Sequence, residues 1–264
     1  MSELNRESRL KLLGLWPQWT LRPEFARTAD AAEENIRAGE VVALPEPVPV
    51  ADASAKADSQ GVIADGRESI MQMEWEELTR TICQCRQCGL SQTRTQAVPG
   101  AGDRQADWLV VGEAPGADED ASGEPFVGQA GKLLDSMLAA IGLARGNGVY
   151  IANVLKCRPP GNRNPQEDEI VACEPYLARQ IELIRPRIIL AVGKFAAQWL
   201  LDSDKPVGAL RGKIHFFNEI PVVVTYHPAY LLRSPTEKAR AWEDLCLAQD
   251  ALKQTNPPLR EDNR

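Results

Sequence analysis

The sequence contains no long hydrophobic run. None of its apolar stretches approaches the roughly 18 residues that a membrane-spanning helix requires. The first residues, MSELNRESRLKLLG, also lack the basic segment and continuous apolar core of a secretory signal. We therefore expect a cytoplasmic protein with no membrane partner. Its six cysteines are then expected to be metal ligands, catalytic groups or core residues rather than disulfides.

The common phosphate-binding motifs are also missing. A P-loop counted back from Gly131 and Lys132 would have to begin at Phe126, where glycine is required. No G-x-G-x-x-G follows the apolar run Trp108–Val111, and the five carboxylates of residues 113–124 would repel a pyrophosphate. Taken alone, this stretch favours a solvated acidic loop around a core phenylalanine.

Positive charge is not in excess, since the formal net charge is −7. Residues 1–75 carry 13 acidic and 8 basic side chains, which leaves 24 acidic and 22 basic ones for the rest of the chain. The main domain is thus nearly neutral. Within it, residues 153–163 hold three cations and no anion, a pattern that is compatible with a local basic rim for nucleic acid.

Short β-rich apolar runs alternate with helical patterns through the second half of the chain. The predicted strands are Trp108–Val111, Val149–Val154, Arg187–Val192 and Ile220–Thr225. The predicted helices cover Arg67–Cys83, Ala130–Leu143, a segment capped by Asn164 that ends near Ile184, Gly193–Leu201, and Glu237–Leu252. This order predicts the α/β class: a three-layer α/β/α sandwich with a central four-stranded parallel sheet.

The chain is expected to divide into three parts. Residues 1–66 form an N-terminal arm and a disordered linker, residues 67–254 form the folded domain, and residues 255–264 form a disordered tail. Leucines and tryptophans cluster in residues 10–19. That cluster is a candidate docking segment for a protein partner, with packing on the main domain as the alternative.

Polar residues follow the predicted strands at their carboxyl ends, where a parallel sheet places its ligands. Glu113 follows the first strand, Asn153 lies at the second, Lys194 follows the third, and His227 follows the fourth. A carboxylate, a carboxamide and an imidazole should therefore meet in one crevice, with Phe126 as a flat lid.

Four cysteines have spacings that suit a metal site: Cys85 and Cys88 in a C-x-x-C, Cys157 after the second strand, and Cys173 on the next helix. Zinc and a 4Fe-4S cluster both accept four thiolates, and the spacing does not separate them. Cys83 is a rival to Cys85, but C-x-x-C brings both sulfurs to one centre more readily than C-x-C.

Several motifs together resemble the family 4 uracil-DNA glycosylases. They are Gly112-Glu-Ala-Pro-Gly116, Pro125-Phe-Val-Gly128, Asn153-Val-Leu-Lys-Cys-Arg-Pro-Pro160, Asn162-Arg-Asn-Pro165 and His227-Pro-Ala-Tyr-Leu-Leu-Arg233. The resemblance spans roughly Cys85 to Leu247. It implies a structural 4Fe-4S cluster on the four cysteines, and a monofunctional enzyme that hydrolyses the bond between uracil and deoxyribose in DNA.

The site residues can be given expected tasks. A glycosylase must flip the nucleotide into a pocket, where Phe126 offers a ring for uracil to stack on. Asn153 can donate to O4 and accept from N3–H, a pairing that cytosine does not match. By the resemblance, His227 lies near uracil O2 and stabilises the charge on the departing base.

The residue that positions water is left open. The better-known uracil glycosylases have an aspartate where this chain has Ala114, which we expect to line the substrate pocket. Glu113, or failing it Glu119, is then expected to hold the water.

Contacts to DNA are expected from basic side chains and from a wedge that fills the gap left by the flipped base. The candidates are Lys156, Arg158, Arg163 and Arg233, with Leu231 in the segment Tyr230-Leu231-Leu232 as the wedge. We expect a monomer. The competing function is a non-catalytic protein that carries the cluster and binds uracil-containing DNA or transfers electrons.

Overall fold

The computed structural model describes residues 60–255. Residues 1–59, with most of the predicted arm and linker, and residues 256–264, with most of the predicted tail, lie outside the described residues. The first helix of the described range begins at Gln60, inside the stretch predicted as linker. No helix within the described range combines the length and the apolar character that crossing a bilayer requires.

Nine α-helices surround the sheet in the described part of the chain. They are α1 (Gln60–Gln72), α2 (Trp75–Gln84), α3 (Ala117–Ser122), α4 (Gln129–Ala140), α5 (Glu167–Ile184), α6 (Lys194–Leu201), α7 (Val207–Leu210), α8 (Pro228–Arg233) and α9 (Lys238–Gln254). Short 3-10 turns cover Gly89–Gln92, Pro160–Asn162 and Pro235–Glu237.

The sheet has six strands, so the prediction of four is wrong in number. The strands are β1 (Ala101–Gly102), β2 (Trp108–Gly112), β3 (Val149–Asn153), β4 (Ile188–Val192), β5 (Ile214–Phe217) and β6 (Ile220–Thr225). Their order is β1-β3-β2-β4-β6-β5. The four predicted strands form the parallel centre, and β1 and β5 add antiparallel edges.

The central strands are buried on both faces, which explains their continuous apolar runs. Val110 and its neighbours on one face pack against α4, α8 and α9. Leu109 and its neighbours on the other face pack against α5 and α6. The two layers of helices confirm the predicted sandwich and leave the carboxyl edge of the sheet free for loops.

Two helix boundaries differ from the prediction. The helix predicted over residues 67–83 is two helices, because Glu74 adopts an extended conformation and ends the first one. The helix predicted to begin after Asn164 begins at Glu167, and the carboxylate of Glu169 accepts the backbone N–H of its N-cap Gln166 at 2.9 Å. This reciprocal cap fixes the start of α5.

Arg187 fastens the end of α9 to the amino edge of the sheet. Its backbone N–H donates to the carbonyl of Asp107, just before β2, at 2.9 Å. Its Nη2 donates to the carbonyls of Leu252 and Thr255 at 3.0 and 2.6 Å. The described chain therefore ends at the amino edge of the strands.

Candidate active site

A cavity of about 430 Å³ opens at the carboxyl edge of the parallel strands. The residues that line it are Glu113, Ala114, Pro115, Gly116, Glu119, Phe126, Ala130, Asn153, Pro159, Asn162, His227, Ala229, Tyr230 and Arg233. The structure thus brings together all six of the side chains predicted for catalysis or substrate binding. They come from the carboxyl end of β3 and from the segments that follow β2 and β6.

Gly112, the last residue of β2, lets Phe126 and Asn153 approach each other. A Cβ at this position would lie 2.4 Å from Asn153 Oδ1 and 2.5 Å from Phe126 Cζ, closer than Cβ atoms come to other atoms in proteins. The Phe126 ring and the Asn153 amide therefore both pack against Gly112, where there is no room for a side chain.

Asn153 has an acceptor atom that the protein leaves unused. Its side chain is 2% exposed, and its Oδ1 is buried without a hydrogen-bond partner among the described residues. Leaving a buried acceptor unpaired costs on the order of 1–3 kcal/mol. Because the residue lines the cavity, a ligand N–H can supply the missing bond.

His227 presents a neutral imidazole to the cavity. Its Nδ1 accepts the backbone N–H of Ala229 at 3.1 Å, so that the hydrogen of the neutral ring is on Nε2. Burial, aided by the charge of Arg233, lowers the pKa of His227 to about 4. The ring centroid lies 5.6 Å from that of Phe126, at an interplanar angle of 32°.

Gly193 gives the His227 ring its space. It adopts a φ of +100°, and a Cβ at this position would lie 3.0 Å from the Cβ of His227 and 3.4 Å from its ring atom Cδ2. Lys194, which follows it, is exposed and does not line the cavity.

The two candidate carboxylates differ in their partners. Burial raises the pKa of Glu113, and the charge of Lys194 opposes this shift. Glu119 instead accepts three backbone N–H groups: Gly116 at 3.0 Å on Oε2, and Val127 and Gly128 at 2.9 and 3.0 Å on Oε1. Glu119 thereby joins the start of α3 to the loop that follows Phe126.

Two of the predicted DNA contacts are wrong. Lys156 is 1% exposed, and its Nζ donates to the carbonyl of Asn153 at 2.8 Å and to Gln180 Oε1 at 2.7 Å. It therefore has no access to a phosphate. Leu231 is also 1% exposed and packs in the core, whereas Tyr230 and Leu232 are 38% and 44% exposed.

The other cations lie at the surface. Arg233 is exposed at the mouth of the cavity. Arg158 Nε donates to Asn162 Oδ1 at 2.8 Å, and Arg163 Nη1 donates to Glu169 Oε2 at 2.9 Å. Asn162 thus orients the Arg158 side chain, and Glu169 orients the Arg163 side chain.

Cys85, Cys88, Cys157 and Cys173 lie in a single apolar cluster, packed with Leu78, Leu90 and Tyr176. Cys83, the rival in the C-x-C spacing, is exposed and lies outside that cluster. Among the described residues, no three His, Cys, Asp or Glu side chains are grouped as a single metal ion would require.

Hydrogen-bond donors already point at two of the sulfur atoms. Arg94 Nη1 donates to Cys157 Sγ at 2.8 Å, while its Nη2 donates to the carbonyls of Cys83 and Cys85, both at 2.9 Å. The backbone N–H of Lys156 donates to Cys173 Sγ at 3.2 Å. Such donors suit thiolates that bind a metal centre.

Sequence reasoning missed several residues that shape the cavity. Gly112 and Gly131 leave no room for a Cβ beside Phe126. Gly112 opens the quoted motif Gly112–Gly116 and Gly131 follows the Phe126 motif, but no pattern in the sequence indicated a task for either glycine. Arg94 had no signal, because its partners lie on other segments of the chain.

Comparison with known proteins places the chain in a family. A sequence profile described as the uracil DNA glycosylase superfamily matches residues 99–246. The Type-4 uracil-DNA glycosylase of Archaeoglobus fulgidus is 47% identical over 168 residues, which cover 61% of this chain and 84% of the relative. That of Saccharolobus solfataricus is 44% identical over 188 residues, 68% of this chain and 86% of the relative.

A more distant branch also matches. The Type-5 uracil-DNA glycosylase of Pyrobaculum aerophilum is 33% identical over 153 residues, which cover 51% of this chain and 66% of that protein. The observed α/β architecture is consistent with the fold of the superfamily that the profile describes. The chain belongs to the uracil DNA glycosylase superfamily and, within it, to the type-4 uracil-DNA glycosylases.

Proposed function

We propose that this protein is a monofunctional uracil-DNA glycosylase. It hydrolyses the N-glycosidic bond of deoxyuridine in DNA, releases uracil, and leaves an abasic site for repair. The observation that carries the proposal is the unpaired, buried Oδ1 of Asn153 in a cavity that also holds Phe126 and His227. The similarity to Type-4 uracil-DNA glycosylases supports it.

Base recognition follows from the Asn153 amide. Once the nucleotide has flipped out, the uracil ring stacks on Phe126, and its N3–H donates to Asn153 Oδ1. The amide nitrogen donates to O4 in the same plane. Cytosine has no hydrogen on N3 and carries an amino group at C4, so both bonds fail and the acceptor stays unpaired.

Leaving-group stabilisation comes from His227. As the bond between C1′ and N1 breaks, its electron pair moves into the uracil ring and builds negative charge on O2. The Nε2–H of the neutral imidazole donates a hydrogen bond to that oxygen. No proton has to be removed from His227 beforehand, because its pKa of about 4 keeps the ring neutral at physiological pH.

Glu113 is the carboxylate that we assign to the water nucleophile. Both carboxylate oxygens of Glu119 already accept backbone N–H groups. Glu113 also lines the cavity, and its carboxylate accepts no backbone N–H group from the described residues. The water oxygen forms the new bond to C1′ and passes a proton to Glu113. Ala114 beside it contributes an apolar wall and no base.

Cations near the cavity contact the DNA backbone: the exposed Arg233 at its mouth, and the half-buried Arg158 and Arg163 on the loop after β3. Tyr230 and Leu232 take the wedge position that was predicted for Leu231, since they are the exposed large hydrophobic side chains of α8.

The four clustered cysteines would hold a 4Fe-4S cluster. Their donor chemistry fits, because thiolates are the ligands of such clusters and Arg94 and a backbone N–H already donate to two of the sulfur atoms. When bound, the cluster supplies a structural crosslink between the start of the domain, the loop after β3, and α5.

Further proposals concern the whole chain. Residues 67–254 act as the glycosylase domain, the protein works as a monomer in the cytoplasm, and the leucines and tryptophans of residues 10–19 dock a protein partner. A sedimentation experiment on the full chain tests the monomer, and a sedimenting dimer contradicts it.

The enzymatic proposal is tested with a duplex oligonucleotide that carries one uracil. The purified protein should generate an alkali-sensitive site at uracil and none at thymine or cytosine. Asn153→Ala should lower the single-turnover rate about 100-fold, because two bonds to the base are lost. Asn147→Ala, which changes an exposed amide outside the cavity, is the matched control. A mobility shift without cleavage contradicts the proposal and indicates a binding protein.

A further inference from the structure

Phe126, the proposed stacking ring, has a backbone conformation that phenylalanine rarely adopts. Its φ is +55°, in the left-handed region that favours glycine. Such a conformation persists only where the surroundings hold it. The direction of the ring follows from this backbone, so the groups that hold the backbone also set the stacking surface.

Arg145 holds this backbone from outside the cavity. Its Nη1 donates to the carbonyl of Pro125 and its Nη2 to the carbonyl of Phe126, both at 2.7 Å. The planar guanidinium fits two successive carbonyls in a way that an ammonium group does not. Arg145 is not among the residues that line the cavity.

Asp135 on α4 orients the guanidinium. Its Oδ1 accepts from Arg145 Nε at 3.2 Å and from Nη2 at 3.0 Å. Because Asp135 belongs to a helix that packs on the sheet, the Arg145–Asp135 pair connects the Phe126 carbonyl to a rigid element.

The other side of Phe126 is fixed as well. Glu119 accepts the N–H groups of the two residues that follow Phe126. Gly131 in the first turn of α4 faces the Phe126 carbonyl so closely that a Cβ there would lie 1.7 Å from its oxygen. The guanidinium of Arg145 therefore holds the carbonyl oxygens of residues 125 and 126. The carboxylate of Glu119 holds the N–H groups of the two residues that follow.

We propose that Arg145, oriented by Asp135, is a positioning residue that fixes the Phe126 ring for uracil stacking. The inference rests on the proposed glycosylase function and assigns to it two residues that do not line the cavity. The guanidinium acts through the peptide of Phe126, so its effect requires the ring to be present.

Two measurements separate this positioning from a general structural effect. Affinity for uracil-free DNA depends on phosphate contacts and should be unchanged in Arg145→Gln. The single-turnover rate at saturating enzyme, which includes capture of the flipped base, should fall about tenfold. Inhibition by free uracil should weaken by a similar factor, because free uracil binds in the cavity without any contact between the protein and a DNA backbone.

A double-mutant cycle then tests the route through Phe126. Arg145→Gln combined with Phe126→Ala should react no more slowly than Phe126→Ala alone. Arg145→Lys, which keeps the charge but loses the two-pronged geometry, should resemble Arg145→Gln, and Asp135→Asn should show a smaller loss. Arg104→Gln removes a surface pair with Glu76 and is the control with unchanged rate.

The outcomes are distinct. A wild-type protein that does not cleave uracil-containing DNA contradicts the proposed function. With an active wild type, the inference about Arg145 is overturned if folded Arg145 variants keep the wild-type rate and uracil inhibition. It is equally overturned if the losses from Arg145 and Phe126 multiply in the double variant.

Discussion

Glu113 and Glu119 both line the cavity, but their surroundings give them different tasks. Burial raises the pKa of Glu113, as is common for a carboxylate that takes up a proton during catalysis. Glu119 is occupied by three backbone N–H groups, as is typical of a carboxylate that shapes a loop. At the scale of the residue, the hydrogen-bond partners therefore distinguish a catalytic carboxylate, Glu113, from a structural one, Glu119.

Substituting each carboxylate by its amide should therefore give two different results. Glu113→Gln should lower the single-turnover rate about 100-fold or more at unchanged melting temperature, because the base for water is lost. Glu119→Gln should lower the free energy of unfolding by about 2 kcal/mol, because charged hydrogen bonds are weakened. Rate and melting curves for both variants check this, and the reverse pattern would exchange the two assignments.

The wild-type rate should also depend on pH through Glu113. The carboxylate must be ionised to accept a proton, so the rate falls as the pH drops through a pKa that lies above the usual value. In Glu113→Gln this acidic limb should be missing.

The residues at strand ends were the most readily predicted from the sequence. Glu113 and His227 follow strands and Asn153 ends one, and parallel strands bring their carboxyl ends together. The burial of Lys156 was not predictable, because its acceptors are a backbone carbonyl and Gln180 on a distant helix. Leu231 and Leu232 are adjacent, and only the orientation of α8 decides which one is buried.

At the scale of the elements, the junction of β2 and its loop has no room for a side chain at Gly112. Gly112→Ala would place a methyl group against Asn153 Oδ1 and the Phe126 ring. We expect the uracil-excision rate to fall at least tenfold, because ring and amide must separate. Gly66→Ala in α1, where a Cβ meets nothing within 4 Å, is the control. A Gly112→Ala protein with wild-type rate would show that the cavity adapts.

The edges of the sheet were harder to predict than its centre. The strand β1 has two residues, too short for a pattern, and β5 alternates between exposed and half-buried side chains beside a tight turn. The central strands were predictable because burial on both faces demands continuous apolar runs. The acidic loop after β2 contains the helix α3, whose six residues are mostly polar and gave no apolar period.

For the whole molecule, the free energy of unfolding should depend on pH through His227. Its pKa is about 4 in the fold and about 6.5 in the unfolded chain, so the unfolded chain binds more protons between these values. The free energy of unfolding should fall as the pH drops from about 6.5 towards 4. His227→Gln should lose this part of the slope relative to wild type. Urea titrations at several pH values measure it, and equal slopes contradict the assignment.

The cysteine cluster should also affect the whole domain. Anaerobically purified protein is expected to contain about four irons per chain and a broad brown absorbance. Cys157→Ala should lose iron and melt at a lower temperature, whereas Cys83→Ala, with its exposed side chain, should match wild type. Stoichiometric zinc in place of iron would contradict the proposed cofactor.

The Arg187 contacts have a practical consequence. Because Leu252 and Thr255 are tied beside the start of β2 and β4, the polypeptide leaves the domain on the side away from the cavity mouth. A dye, an affinity handle or a surface tether joined beyond Thr255 would thus leave the approach of a long duplex unobstructed.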